Sequence, residues 1–183
     1  MNPLRIFSLI SLTTVFLSTG YAQDKKPISP HETVNATIDG ADIKIAYGRP
    51  YTKDPKTGEM RKIWGGLVPY AKVWRTGANE ATLLTTSKAL DFGGTTVPAG
   101  TYSLFTQPEE NGTAKLIINK QTGQWGTKYD EKQDFARIDM KKSELDAPVD
   151  QFTMSIDKNS SGGGMITLKW EKTEYTAPFT VKS

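Results

Sequence analysis

The chain has 183 residues, 37% of them hydrophobic, which is enough for one domain with its own core. It has no cysteine and a single histidine, so disulfides and cysteine catalysis are excluded and transition-metal sites are disfavoured. Its 23 basic residues are interspersed with 20 acids, a balance that argues against a nucleic-acid surface.

Residues 1–22 are typical of a secretory signal peptide. Arg5 gives a basic start, residues 6–17 are mostly apolar, and Gly-Tyr-Ala at 20–22 offers small residues for cleavage. The apolar run is shorter than the about 20 residues of a membrane span. We therefore expect a periplasmic or secreted protein with no stable membrane insertion after signal removal. Its mature chain, residues 23–183, is expected to form a single domain.

Short alternating segments, separated by turn residues, fill the mature chain. Asp39-Gly40 and Gly93-Gly94 each lie between two such segments, which is the pattern of tight hairpins. No segment has the length and period of a helix. The sequence predicts an all-β fold, an antiparallel two-sheet β-sandwich of about nine or ten strands. A β-barrel is the alternative, because periodicity cannot distinguish closure from stacking.

One stretch, from Arg61 to Thr82, combines large aromatic residues with glycine, proline and polar side chains. We refer to it as the aromatic passage. Its paired glycines and its proline predict a shaped loop between two strands. It follows an exposed, turn-rich loop at residues 52–62. Together with a tryptophan from a later loop, it supplies the candidate ligand-binding residues Tyr70, Trp74, Arg75, Asn79, Glu80 and Trp125.

These residue types favour binding over catalysis. Rigid aromatic rings beside a guanidinium, an amide and a carboxylate suit a small polar ligand, a glycan or a peptide segment. We expect no cofactor, because no phosphate loop or dinucleotide fingerprint is present, and no metal, because the acids around Asp130 have no calcium-loop spacing.

Two alternative functions stay open at this stage. A cell-envelope hydrolase would need an acidic general acid or base, for which Glu80 is the candidate, although an ion pair between Arg75 and Glu80 would explain the same residues structurally. A serine or cysteine triad is disfavoured, because His31 is the one available base and no G-x-S-x-G is present. The other alternative is a structural envelope component.

The chain also resembles a known family through specific motifs. The run I-W-G-G-L-V-P-Y-A-K-V-W-R-T-G-A-N-E-A-T at residues 63–82, with P-A-G-T-Y-S-L-F at 98–105 and Q-W-G at 124–126, is similar to the secreted proteins classed as domain of unknown function 2911, found chiefly in Bacteroidetes. Shorter likenesses are S-P-H at 29–31, Y-G-R-P at 47–50 and I-N-K at 118–120. The resemblance implies export and a single domain, and it implies no mechanism. A longer segment at residues 54–60 departs from the family pattern.

Overall fold

A computed structural model describes residues 29–182. The predicted signal peptide lies outside this range. The strands, in chain order, are β1 (His31–Ile38), β2 (Ala41–Gly48), β3 (Thr82–Thr86), β4 (Leu90–Asp91), β5 (Thr96–Val97), β6 (Gly100–Pro108), β7 (Ala114–Asn119), β8 (Asp134–Lys158) and β9 (Gly164–Val181). Over the described residues the one helical element is a 3-10 turn, Glu131–Gln133.

The strands pair into one antiparallel sheet in the order β1-β2-β3-β6-β7-β8-β9-β4-β5. The all-β prediction is therefore confirmed, with nine strands. The two-sheet sandwich is not confirmed, because hydrogen-bonded neighbours connect every strand into a single sheet. The barrel alternative also fails, because the sheet is open: its outermost strands, β1 and β5, do not pair with each other.

Both hairpin turns form where the sequence predicts them. Asp39 and Gly40 adopt positive φ angles of 49° and 74° between β1 and β2. This is the backbone of a two-residue turn whose twist matches that of the strands. Gly93 and Gly94 likewise join β4 to β5, with Leu90 opposite Val97.

The last two strands are longer than the sequence pattern indicates. Alternation is clear at residues 135–140 and 152–156, but the intervening residues 141–151 are mostly polar and exposed. Within this stretch residues 141–144 and Val149 still pair with β9, with register shifts on both sides of Val149, and Gln151 pairs with Tyr51. Backbone hydrogen bonds need no apolar pattern, so alternation underestimates β8.

The core lies between β2 and the far half of β8, which are not neighbours in the sheet. Ile43, Ile45 and Tyr47 all point inward from β2 and are buried. The Tyr47 ring packs edge-on against Phe152 at 5.7 Å, and the Met154 N–H donates to the Tyr47 hydroxyl at 2.9 Å. Two parts of one sheet thus share one core.

No helix within residues 29–182 has both the length and the apolar character of a membrane-spanning segment.

Candidate functional site

The aromatic passage connects β2 to β3 without regular structure, as predicted. Three of its non-glycine residues have left-handed backbones: Ala71 at φ 57°, Thr76 at 52° and Asn79 at 65°. Such angles are unfavourable, above all for a β-branched residue, and persist where surrounding contacts impose them. The passage is therefore held in one shape by its neighbours.

Backbone pairing to β6 fixes the middle of the passage. Trp74 and Thr106 exchange two backbone hydrogen bonds of 2.8 Å, and the buried hydroxyls of Thr76 and Thr106 lie 2.7 Å apart. These contacts set the direction of the neighbouring side chains of Trp74 and Arg75.

Close backbone packing fixes the end of the passage. The Ala78 N–H donates to the Gly48 carbonyl oxygen at 3.2 Å. A Cβ placed on Gly48 would overlap the Ala78 carbonyl oxygen and lie 2.8 Å from its carbon. Glycine is required here because two backbones approach closely.

Three tryptophans form the apolar floor of the region. Trp74 and Trp170 stack with ring centroids 5.8 Å apart and planes 23° apart, and Trp64 packs edge-on against both, at 6.2 and 6.5 Å. Trp170 is buried, and its indole N–H donates to the Thr52 hydroxyl at 3.0 Å. The cluster is rigid, since each ring is held on several sides.

A cavity of about 220 Å³ opens above this floor. It lies between the aromatic passage, the strand end at Pro50 and the loop that carries Trp125. The residues that give it its chemistry are Arg61, Trp74, Arg75, Asn79, Trp125 and Trp170. No carboxylate lines it, so its only formal charges are positive.

Arg75 is the central polar residue of this cavity. Its side-chain carbons pack on Gly126, where an added Cβ would overlap Arg75 Cδ. Within residues 29–182 its guanidinium has neither a hydrogen-bond acceptor nor a carboxylate partner, and burial, without any opposing charge, lowers its pKa. Arg75 is therefore a half-buried cation whose guanidinium keeps contact with solvent and has no protein acceptor in the described residues.

Arg61 brings a second guanidinium, two of whose five N–H donors bond to backbone carbonyl oxygens. Its Nε donates to the Thr52 carbonyl oxygen at 3.4 Å and one terminal nitrogen donates to the Tyr51 carbonyl oxygen. These bonds tie the predicted exposed loop, residues 52–62, to the cavity wall. Arg61 therefore contributes mainly positive potential.

Asn79 and Trp125 complete the rim. The Asn79 amide Nδ2 donates to the Ser29 carbonyl oxygen at 3.0 Å. The Trp125 loop is joined to the passage by the bond from the Gly126 N–H to the Asn79 carbonyl oxygen, also 3.0 Å. The Trp125 side chain is 49% exposed.

Glu80 lies outside the cavity, and the ion pair considered between Arg75 and Glu80 does not form. Its carboxylate instead meets His31 Nε2 at 2.7 Å on the surface. That hydrogen bond lowers the pKa of Glu80, whereas a general acid needs a raised one.

Tyr70 is likewise not among the lining residues. Its ring packs over Gly65, where an added Cβ would lie 2.7 Å from Tyr70 Cε2. The structure thus brings together Trp74, Arg75, Asn79 and Trp125, and places Tyr70 and Glu80 elsewhere.

Two lining residues, Arg61 and Trp170, were not selected from the sequence. Arg61 begins the aromatic passage, so its position was a usable signal. Trp170 follows Arg75 by 95 positions on an ordinary alternating strand, and nothing local marks it as a neighbour of the site.

A larger concavity of about 510 Å³ lies over the outer face of β1, β2 and β3. Its polar groups are mutually paired: the Thr37 hydroxyl donates to Asp42 at 2.7 Å, and the Asp42 N–H donates to Ser87 Oγ at 2.8 Å. It has volume, and Lys44 on its wall is an exposed lysine, but no aromatic ring lines it, so it is the weaker site.

In the part of the chain that the structure describes, no group of three or more His, Asp or Glu side chains could hold a metal ion.

Fold and cavity together define an all-β protein with a cationic, tryptophan-lined pocket. Residues 29–179 match the family model described as "Protein of unknown function (DUF2911)", and the chain belongs to that family. The matched segment contains every residue that lines the cavity. Comparison with curated proteins and with solved structures gave no match.

Proposed function

We propose that this protein binds a small anionic ligand in the Arg75 cavity. The single observation that carries the proposal is the Arg75 guanidinium, partly buried beside three tryptophans and without an acceptor in residues 29–182. A planar guanidinium presents a fork of N–H donors that matches a carboxylate, sulfate or phosphate.

Arg75 loses part of its hydration when the chain folds. Burial weakens the hydration of a cation, and a protein normally recovers this loss through an ion pair. Here the aliphatic stem packs on Gly126, and Arg75 lines the cavity. A bound anion would supply the missing partner in surroundings of lowered dielectric, where the attraction is stronger than in water.

The cavity limits the size of the ligand. Its 220 Å³ lies below the about 300 to 1,000 Å³ of typical drug-sized ligand sites. A small molecule, or one terminal group of a larger one, fits this volume. The other wall of the cavity is tryptophan, so a ring attached to the anion gains apolar contact.

Catalysis has no comparable support. The hydrolase hypothesis depended on Glu80, which is exposed, paired with His31 and ionised more readily than an ordinary glutamate. Within the described residues no carboxylate lines the cavity, so it holds no hydrolytic pair of acids.

The test is an anion titration of the purified mature chain, followed by tryptophan fluorescence at constant ionic strength, with sodium acetate, benzoate and sulfate as probes. We expect binding in the millimolar range for such small ions, and a loss of about tenfold or more in Arg75→Gln. Arg75→Lys keeps the charge without the planar fork and should fall between the two.

Lys72→Gln is the matched control, because it removes one positive charge from an exposed residue of the same passage that does not line the cavity. It should bind like the wild type. Equal binding by wild type and Arg75→Gln, or equal losses in Arg75→Gln and Lys72→Gln, would refute the proposal and favour a structural role.

We further propose that the protein acts outside the cytoplasm. The support is the basic and apolar pattern of residues 1–22 and the absence of cysteine. Mass spectrometry of the chain from fractionated cells should give a mature N-terminus near Gln23. An intact Met1 on a cytoplasmic product would show that this proposal is wrong.

A further inference from the structure

We infer that the anion in the Arg75 cavity is the carboxylate of an acidic saccharide, a uronic acid residue. This inference rests on the proposed function and names the ligand class. Three independent properties of the lining carry it: the sign of its charges, the free acceptor on Asn79 and the exposed ring of Trp125.

The sign of the charges excludes zwitterionic ligands. The formal charges of the lining are those of Arg61 and Arg75, with no carboxylate among the residues around them. The ammonium group of an amino acid or of a peptide N-terminus would enter this cavity uncompensated, at a large cost. A ligand with negative charge and neutral polar groups does not meet this penalty.

The free fork of Arg75 suits a carboxylate. Arg61 donates to the backbone carbonyl oxygens of Tyr51 and Thr52. That leaves Arg75 as the one guanidinium of the lining without a partner in residues 29–182. One planar fork pairs with one carboxylate in two parallel bonds.

Asn79 offers an acceptor to a hydroxyl or amide donor of the ligand. Its Nδ2 donates to the Ser29 carbonyl oxygen, which fixes the amide and leaves Oδ1 to accept. No donor in the described part of the chain reaches that oxygen. Sugar hydroxyls are neutral donors, and they are absent from simple carboxylates such as acetate and benzoate.

Trp125 provides the surface for a sugar ring. About half of its side chain is exposed at the rim, while its backbone is tied to the passage through Glu80 and Gly126. A rigid indole face beside a cation and an amide matches a pyranose, with an apolar face of C–H groups and polar groups at the ring edge.

The experiment compares galacturonate and glucuronate with galactose, glucose, acetate and benzoate by calorimetry on the mature chain. We expect the two uronates to bind at least about tenfold more tightly than acetate, and the neutral sugars to show no measurable binding.

Two variants separate the parts of the site. Arg75→Gln should lose uronate and acetate binding alike. Trp125→Ala, at an exposed position, should weaken uronate binding about fivefold or more and acetate binding by less than that, because acetate has no ring to pack on the indole.

If acetate or benzoate binds as tightly as the uronates, the saccharide inference is overturned while the anion site stands. If benzoate alone binds more tightly than the uronates, the saccharide inference is also overturned and the site prefers an aromatic ring. If neither uronate nor simple anion binds, the proposed function itself fails.

Discussion

Arg75 and Arg137 are two arginines of one chain with opposite surroundings. Arg137 donates to Asp134, Glu131 and the Tyr129 hydroxyl, over distances of 2.8 to 3.0 Å. Asp134 also accepts from Tyr129 at 2.6 Å. We call this group the Arg137 cluster. Arg75, which is partly buried, has no partner of this kind within residues 29–182.

The difference shows that the fold can satisfy a guanidinium with its own acids. The nearest acid along the chain, Glu80, is used by His31 instead. The Arg137 cluster therefore has the properties of a structural network, in which partners are mutually saturated. We propose that the Arg75 cavity is instead a binding site, where a charged group is held ready for a ligand.

The largest effect on the comparison should come from breaking the wall of the cavity. Gly48→Ala forces a methyl group into the Ala78 carbonyl, and we expect it to lower the free energy of unfolding by about 3 kcal/mol. Urea denaturation followed by tryptophan fluorescence measures this. Lys44→Ala, at an exposed position of the same strand, is the control and should stay within about 0.5 kcal/mol.

The next test replaces each of the two arginines in turn. Arg137→Gln removes the donors to four side chains, those of Asp134, Glu131, Tyr129 and Gln107. It should cost about 1 to 2 kcal/mol of unfolding free energy, with anion binding unchanged. Arg75→Gln should change stability by less than about 0.5 kcal/mol, because it breaks no hydrogen bond. Equal destabilisation by both variants would show that Arg75 is scaffold.

Alkaline pH should weaken the Arg137 cluster and spare the cavity. Burial, and then the bond to Asp134, raise the pKa of Tyr129, and burial raises the pKa of Tyr47 to about 12. The unfolded chain loses these protons near pH 10 while the folded chain keeps them. The stabilisation due to these two tyrosines is therefore fully present below about pH 10 and is lost as the pH rises toward their folded pKa values.

Denaturation curves between about pH 8 and pH 11.5 measure this loss. Tyr129→Phe keeps the ring, removes one titrating hydroxyl and should show a shallower decline than the wild type. A parallel decline would mean that the pKa of Tyr129 is the same in the folded and unfolded chain.

Acetate binding should stay constant between about pH 6 and pH 9, because Arg75 remains charged throughout.

The smallest effect should come from the surface pair of His31 and Glu80. The pKa of Glu80 is lower in the folded chain than in the unfolded chain. The pair therefore stabilises the fold fully above the unfolded pKa of about 4.5, and this stabilisation is lost as the pH falls through the lower folded pKa. The side chains of His31 and Glu80 are 50% and 56% exposed. Glu80→Gln should therefore lower the free energy of unfolding by less than about 0.5 kcal/mol. Anion affinity should not change, and a large loss would place Glu80 in the site.

Local signals in the sequence predicted the fold class and part of the site. Asp39-Gly40 predicted a hairpin because a two-residue turn is specified by its own residues. Trp74, Arg75 and Asn79 were found together because they are close along the chain. Trp125 was included as an aromatic of a separate loop, and it also lines the cavity.

The remaining features depend on long-range contacts. Trp170 reaches the cavity through the pairing of β8 with β9, and His31 meets Glu80 across 49 positions. Alternation also missed the polar middle of β8, where backbone pairing alone continues the strand. Patterns of single residues carry no information about such partners.

The most direct test of the central claim is the NMR signal of the Arg75 Nε–H group, assigned by its absence in Arg75→Lys. In the free protein we expect rapid exchange with water, because no acceptor from residues 29–182 protects it. Titration with galacturonate should shift this signal and slow its exchange, while the Arg137 Nε–H stays unchanged. An Arg75 signal that is already protected in the free protein, or that does not respond to galacturonate, would contradict the account.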